Sequence, residues 1–263
     1  MELNISTFIT LIFLGFLVSL VNNSFGMGYG VIATPLLLFL GFTALVVVPA
    51  LLVAQTVLGF VGTYFHSVYK NVDLTSRETK DTKITGIFTG FGLIGMTIAI
   101  FIAISVSELF IISYIGIMVS IVGLLLIKEL TFKFSWGGIF IISIVAAFNQ
   151  ALIGGGYGPL ATTGQLMSGR DHKEAASTSI FSQAFLSGYG FLLYFIFAGL
   201  ANIELLVTLL IALIISGASA TPLGALIAKS IPKEKGKKVI GYISLVLGVV
   251  TFARLVFYLI AGL

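Results

Sequence analysis

Residues 26–35 read GMGYGVIATP and residues 154–163 read GGGYGPLATT, so the chain carries two near-copies of one glycine-rich decapeptide. Each copy lies in a long stretch without charge, because no Asp, Glu, Lys or Arg occurs from residue 3 to 69 or from residue 134 to 169. Both stretches exceed the roughly 20 apolar residues that cross a bilayer. The two decapeptides are therefore predicted to lie inside a membrane.

The composition of the whole chain indicates the same class of protein. Hydrophobic residues make up 58% of the 263 residues and charged residues 9%, whereas about a quarter of a soluble domain is charged. Lipid offers the backbone no hydrogen-bond partners, and apolar segments of this length satisfy their own as helices. The sequence predicts an all-α polytopic membrane protein. Residues 5–21 are interpreted as a retained helix, since no basic leader or cleavage site marks a signal peptide.

The apolar runs predict ten hydrophobic segments, of which eight to ten enter the membrane. They cover residues 5–21, 29–40, 47–68, 84–104, 109–127, 136–153, 157–168, 175–198, 203–228 and 237–262. Thirteen of the fourteen Lys and Arg residues fall in four stretches, at 70–83, 128–133, 170–173 and 229–238. Two segments separate each stretch from the next, so all four can face the cytoplasm, as the positive-inside rule favours. Ten passes through the plasma membrane then place both termini outside.

A shift of 128 residues aligns the two decapeptides and much of their surroundings without a gap. The 41 positions from Asn22 to Gly62 contain eleven identities, among them matched Gly, Tyr, Thr and Gln residues that shared apolar composition does not explain. We interpret the chain as an internal duplication, with residues 1–127 as repeat 1 and residues 128–263 as repeat 2. Each repeat holds about five hydrophobic segments.

Five is an odd number, so repeat 2 is predicted to enter the membrane upside down relative to repeat 1. The loop charges agree with this. The basic loop 170–174 corresponds to the uncharged loop 42–46, and the basic loop 70–83 corresponds to residues 198–211, whose single charged residue is Glu204. Inverted repeats are a common construction of secondary transporters, because two exchanging halves can open one central site to each side in turn.

Segments 29–40 and 157–168 are too short to span the membrane alone, since about twelve helical residues reach roughly 18 Å against a hydrocarbon core of about 30 Å. Glycines at the start of such half-helices allow positive φ and a close approach to ligand. Their free N–H groups, with the positive end of the helix dipole, can bind an anion without a basic side chain. The candidate substrate-binding residues are Asn22, Gly28, Tyr29, Gly30, Thr34, Gln55, Gln150, Gly154, Gly155, Gly156, Tyr157, Gly158, Thr162 and Gln183.

Each of these features also has a purely structural interpretation. Glycines let membrane helices pack closely, and Gln55 and Gln183 could form an ordinary interhelical amide bond. Thr34 and Thr162 could bond their own backbone. The duplication of the whole set favours the binding-site interpretation.

The remaining ionisable residues offer little chemistry inside the membrane. Arg254 lies about sixteen residues beyond Lys238, or roughly 24 Å, and is predicted to snorkel to the outer interface. His66 is predicted to be interfacial, and His172 to lie in a solvated turn within GRDHKEA (169–175). No buried acid is evident for proton coupling.

Several classes of function are disfavoured by composition. The chain has no cysteine and two histidines, which argues against disulfides, thiolate chemistry and a histidine metal cluster. A net charge of +4 concentrated in short loops does not indicate a nucleic-acid partner. Without paired carboxylates or a nucleophile with its base, a membrane enzyme is disfavoured, and no cofactor or metal is predicted.

The motifs resemble those of a known family. The stretch FGMGYGVIATPLLLFLG (25–41), the later GGGYGPLATTGQLMSG (154–169) with KEAASTS (173–179), and ATPLGALIAKSIP (220–232) are similar to the duplicated signature of the sulfite exporter TauE/SafE family. Two positions depart from the pattern. Met27 interrupts the first glycine triplet, and Thr163 stands where many members have proline. The family's thiosulfate importers rely on cysteines, so uptake by a thiol relay is disfavoured here.

The resemblance implies transport of a small sulfur oxyanion or organosulfonate, sulfite and sulfoacetate among them. We predict a secondary transporter, in the direction of export, that works by alternating access and is not an enzyme. A passive anion channel on the same scaffold is the alternative. The predicted partners are a small anion, the lipid bilayer and a coupling ion, proton or sodium, while a homodimer and the exact anion stay open.

Overall fold

The computed structural model describes residues 5–26, 29–103, 105–128, 135–200 and 202–261. Within these ranges the chain forms ten α-helices and no strand. In chain order they are α1 (Ile5–Phe25), α2 (Tyr29–Phe39), α3 (Ala44–Val68), α4 (Lys80–Ala103), α5 (Glu108–Ile127), α6 (Trp136–Ile153), α7 (Tyr157–Met167), α8 (His172–Phe197), α9 (Ile203–Ser230) and α10 (Lys233–Ala261).

The helix lengths confirm a polytopic all-α membrane protein. Among the described residues, α1, α4, α8, α9 and the Val46–Val68 part of α3 are long and apolar enough to cross a membrane. By contrast, α2 and α7 have 11 residues each, which is roughly 16 Å of helix, about half of a hydrocarbon core. Two short helices therefore lie at the positions predicted for half-helices.

Glycines set the ends of the helices that flank the glycine-rich segments. Gly26 and Gly154 follow α1 and α6 with φ of 67° and 70°, and Gly41 and Gly169 follow α2 and α7 with φ of 91° and 92°. Positive φ costs glycine little, whereas other residues rarely adopt it. The chain can therefore end one helix and reverse sharply into the next.

The 128-residue offset relates the structures of the two halves as well as their sequences. It carries both ends of α2 onto α7, the last residue of α1 onto that of α6, and the first residue of α3 onto that of α8. The bond from Phe42 N to Leu37 O recurs between Arg170 N and Gln165 O, both at 3.1 Å. These matches support the duplication into two repeats, which stays a prediction.

The helices of the two halves interlace. In the first half α1 packs against α9 of the second, and its counterpart α6 packs against α4. We name the group α1, α2, α3 and α9 bundle A, and the group α4, α6, α7 and α8 bundle B, since the buried apolar residues form two main clusters centred on these groups. The helices α5 and α10 pair with each other. Each bundle thus contains helices from both halves of the sequence.

The two bundles meet along α3 and α8, which run antiparallel. Near the middle, Gly59 lies against Ala184, and near the end of α3 the His66 ring lies 2.9 Å from the Ser177 hydroxyl, close to the start of α8. Because α3 and α8 are counterparts under the offset, their antiparallel crossing is what an inverted repeat requires. The inversion stays a prediction that this crossing supports.

Three of the four basic stretches lie at one end of the molecule, which we call the basic end. Asn71 donates to the Ala225 carbonyl, one turn before Lys229, at 2.8 Å, and Arg170 forms an ion pair with Asp81. Of the fourth stretch, residues 129–133 lie outside the described residues. The cytoplasmic orientation of this end and the outside location of both termini stay predictions.

Candidate functional site

Three buried glutamines from three helices meet between the bundles. The Oε1 of Gln55 on α3 accepts hydrogen bonds from Gln183 Nε2 of α8 at 2.7 Å and from Gln150 Nε2 of α6 at 3.3 Å. Gln150 also donates to the Ser187 hydroxyl at 2.5 Å. All four side chains are buried. We call Gln55, Gln150, Gln183 and Ser187 the amide cluster, and it joins three of the residues predicted from the sequence.

The amide cluster is tied directly to the glycine segments. Gln55 Nε2 donates to the Gly154 carbonyl at 2.6 Å. Gly30, in the first turn of α2, packs main chain to main chain against Gly154 and Gly155, since a Cβ on Gly30 would overlap the Gly154 carbonyl and a Cβ on Gly155 would overlap Gly30. Only glycine allows two backbones to come this close.

The second glycine segment makes the reciprocal crossing. Thr162 of α7 donates its hydroxyl to the Gly26 carbonyl at 2.7 Å, and Gly26 lies against Ala176 at the start of α8. Thr162 therefore bonds the opposite half of the chain. Its counterpart Thr34 is buried in α2. The glycine segment of each repeat therefore lies against the short helix of the other repeat, Gly154 and Gly155 against α2 and Gly26 against α7.

The start of α7 presents hydrogen-bond donors rather than charges. Its N-cap is Gly156, with φ of 122° and no side-chain cap, and Gly158 is buried in the first turn. Gln55 and Gln183 each use one of their two amide N–H groups in the bonds described above. A helix start and uncharged amides in a low-dielectric setting suit an anion, because the dipoles provide positive potential without a buried cation.

Tyr29 and Tyr157 were predicted at the site, and the structure places their rings in apolar surroundings. Tyr29 lies in the cluster of bundle A with its hydroxyl 3.5 Å from the Leu213 carbonyl. Tyr157 lies in that of bundle B with its hydroxyl 2.7 Å from the Ser182 hydroxyl. In this conformation the two tyrosines anchor the half-helices by packing, and a role in binding stays a prediction.

Two further predicted residues complete the set. The Asn22 side chain is buried near the end of α1, and neither its Oδ1 nor the Oε1 of Gln150 has a hydrogen-bond partner among the described residues. Buried amide oxygens are normally paired. Gly28 lies outside the described residues.

Two sequence-based expectations about polar residues are wrong. His172 is 2% exposed rather than solvated. His66 is 0% exposed near the end of α3, and its location at the membrane interface stays a prediction. Arg170, in the same GRDHKEA stretch as His172, is 3% exposed, and its partner Asp81 is a buried acid that the sequence did not indicate. For Arg170 and His172 the physical reason is the sharp reversal at Gly169, after which α8 begins within three residues, so both lie against interior partners, Asp81 for Arg170 and Ser24 for His172.

A run of buried hydroxyl residues on α8 was not predicted from the sequence. These residues are Ser177, Thr178, Ser179, Ser182 and Ser187. Five hydroxyl side chains within eleven positions of an apolar segment are a readable signal, because hydroxyls in membrane helices commonly bond across to neighbouring helices. These residues connect the basic end to the amide cluster along one helix.

Replacing Gln55 with leucine is expected to reduce both stability and transport. The substitution leaves the Gln150 and Gln183 amides without their shared acceptor and the Gly154 carbonyl without its donor, and a buried unpaired polar group costs about 1–3 kcal/mol. Thermal unfolding in detergent and uptake into proteoliposomes measure the two effects. The matched control is Ser113→Ala on α5, outside both bundles, because the Ser113 hydroxyl bonds the Leu109 carbonyl of its own helix. Equal behaviour of the two variants would contradict a role for the amide cluster.

Interlaced halves and two short helices between two bundles are features that many polytopic membrane transporters share. Residues 11–251 match the model of the family described as sulfite exporter TauE/SafE. The chain therefore belongs to the TauE/SafE family, and the resemblance seen in the sequence is confirmed. Neither the curated proteins nor the solved structures gave a match to the chain.

Proposed function

We propose that the protein is a secondary carrier that exports a small sulfur oxyanion or organosulfonate, such as sulfite or a sulfoacetate-like anion, by alternating access. The observation that carries this proposal is the meeting of the amide cluster with Gly30, Gly154 and Gly155 at the boundary between the bundles. Membership of a family of anion transporters supports it.

The proposed ligand is an anion because the site offers donors and dipoles rather than acids. The start of α7 and the amide nitrogens of Gln55 and Gln183 can donate to oxyanion oxygens, which accept hydrogen bonds well. A buried lysine or arginine would hold an anion more tightly, but it would carry a charge in the membrane after the ligand leaves. Neutral donors avoid that cost, which suits a site that must empty on each cycle.

The bundle boundary supports movement between two arrangements. Where α3 crosses α8, Gly59 lies against Ala184, and Gly188 lies against Thr56. Small residues let two helices approach closely and present few side chains that interlock. We propose that bundle A rocks against bundle B about this crossing, and that the Gly30 and Gly155 main chains separate when an anion lies between the half-helices.

A passive channel would use the same donors but requires a continuous polar path. The main-chain contact between Gly30 and Gly155 closes the boundary between the half-helices in this conformation. A carrier and a closed channel both fit this contact, and the concentration dependence of the flux distinguishes them.

Flux into proteoliposomes tests the carrier directly. We expect saturable uptake of sulfite or an organosulfonate, and faster exchange of labelled for unlabelled anion when the same anion is present on both sides. Protein-free liposomes are the control. Flux that rises linearly with concentration and does not saturate would indicate a channel, and no flux under any proton, sodium or voltage gradient would contradict the proposal.

A further inference from the structure

Both histidines of the chain lie buried between the two bundles at the basic end. His66, near the end of α3 in bundle A, has its Nδ1 2.9 Å from the Ser177 hydroxyl of bundle B. His172, the first residue of α8 in bundle B, has its Nε2 2.7 Å from the Ser24 carbonyl of bundle A. Each imidazole therefore links bundle A to bundle B, which move against each other in the proposed carrier.

The Nδ1 of His66 has two close polar neighbours. The Asn71 side-chain nitrogen lies 3.0 Å away and also donates to the Ala225 carbonyl at 2.8 Å. The Ser177 hydroxyl lies 2.9 Å away and gives its own proton to the Lys173 carbonyl. Because Nδ1 has either one lone pair or one proton, it either accepts from Asn71 or donates to Ser177, and a neutral imidazole serves both arrangements.

The second histidine is held in a similar way. A carbonyl oxygen can only accept, so His172 Nε2 carries the proton that it shares with Ser24. Its Nδ1 has no partner among the described residues. Among the described residues neither imidazole forms an ion pair. The acidic side chains of Asp81 and Glu174 both pair with Arg170.

Among the described residues no acidic side chain forms an ion pair with His66. The titratable side chain nearby on α8 is His172, and α1 presents the backbone of Asn23. From α9 comes the Ala225 carbonyl, while Lys229, one turn further, is exposed. Ser177 itself donates to the Lys173 carbonyl at 2.5 Å. A positive charge on His66 would therefore have no negative partner among these groups.

A second proton on His66 would change these contacts. Both ring nitrogens would then donate, so Nδ1 could not accept from Asn71, and a buried charge would lie beside a second histidine. Burying an unpaired charge is costly, so the protonated state favours an arrangement in which the bundles part and water reaches the ring. The positions matched by the offset are Tyr194 for His66 and Ala44 for His172, so the opposite end lacks this pair.

We infer that His66, with His172 beside it, is a proton-binding site that couples proton uptake to opening of the basic end. The inference rests on the proposed carrier function and names the proton, rather than sodium, as its coupling ion.

The first test needs no substrate. Because the chain lacks cysteine, Ile180→Cys introduces a single thiol at a buried position that contacts Gly59 and Gly62 of α3 across the boundary. Its labelling by a soluble maleimide is compared at each pH with the same cysteine in a His66→Gln background, which cancels the pH dependence of the thiol. We expect the ratio of the two rates to rise severalfold from about pH 8 to about pH 5.5, where histidine changes charge.

A second variant keeps the test decisive if His66→Gln does not fold. His66→Tyr places at this position the residue found at its counterpart Tyr194, and a tyrosine changes no charge between about pH 8 and about pH 5.5. Labelling in the His66→Tyr background should therefore lose the same pH dependence. Identical curves with and without His66 would overturn the inference.

Transport separates this inference from the proposed function. His66→Gln should lose accumulation driven by a pH gradient while exchange of labelled anion without a gradient continues. Accumulation that still follows the pH gradient in His66→Gln would overturn the proton site. If the unaltered protein moves no anion and yet shows the His66-dependent labelling, the proton site stands and the carrier proposal fails.

Discussion

Transport by the Gly155→Ala variant is expected to fall at least about fivefold. A Cβ at Gly155 would overlap the main chain of Gly30, and backbone cannot rotate aside as a side chain can. Overpacking of this kind costs about 1–3 kcal/mol, and 1.4 kcal/mol is tenfold in an equilibrium. The methyl group would hold the half-helices apart and disfavour the closed conformation. Initial rates of anion uptake into proteoliposomes measure the loss.

The matched control is Gly90→Ala on α4. A Cβ there would meet no heavy atom within 4 Å, and the residue is exposed on a helix. Alanine also favours helix over glycine, so transport should be unchanged. Equal rates for Gly90→Ala and Gly155→Ala would show that contact between the half-helices is not needed. Gly30→Ala, whose Cβ would overlap the Gly154 carbonyl, should behave like Gly155→Ala.

Replacing Arg170 with phenylalanine is expected to destabilise the protein strongly. Arg170 donates to Asp81, to Gln165 and, at 3.3 Å, to the Thr178 hydroxyl, all of them buried. Removing one member of a buried ion pair costs about 3–5 kcal/mol, because the other charge remains without a partner. At about 2–4 °C per kcal/mol, the midpoint of thermal unfolding should fall by roughly 10 °C.

The first half of the chain suggests how to reverse that loss. The 128-residue offset places Phe42 opposite Arg170 and Leu209 opposite Asp81, and both are buried in the apolar cluster of bundle A. Adding Asp81→Leu to Arg170→Phe should therefore restore most of the unfolding midpoint, since apolar residues can replace a buried ion pair. Glu78→Gln, at an exposed pair with Lys83, is the control and should leave the midpoint unchanged. A double variant no more stable than Arg170→Phe would contradict the comparison between the halves.

The sequence predicted the helices well because the membrane imposes a simple rule. Apolar runs must become helices, so segment number, the short segments 29–40 and 157–168, and the glycine ends could be read from composition and spacing. The glutamines could be found because Gln55 and Gln183 repeat at the same offset as the glycines. Repetition identified them without any knowledge of which helices touch.

The polar network at the basic end could not be predicted in the same way. Hydropathy treats every charge as a loop marker, so Arg170 and His172 were assigned to a solvated turn. Their burial depends on partners far away in the sequence, such as Asp81 for Arg170 and Ser24 for His172. The two tyrosines show the converse difficulty, because Tyr29 and Tyr157 repeat faithfully and yet pack in apolar clusters rather than at the amide cluster.

The interlacing of the halves has a consequence for biosynthesis. The main packing partner of α1 is α9, which begins roughly 180 residues later in the chain. At about 5–20 residues per second, a ribosome needs on the order of 10–35 s to reach it. During that time the first helices must wait in the bilayer beside lipid or a membrane chaperone, and the protein can mature only after nearly the whole chain has been inserted.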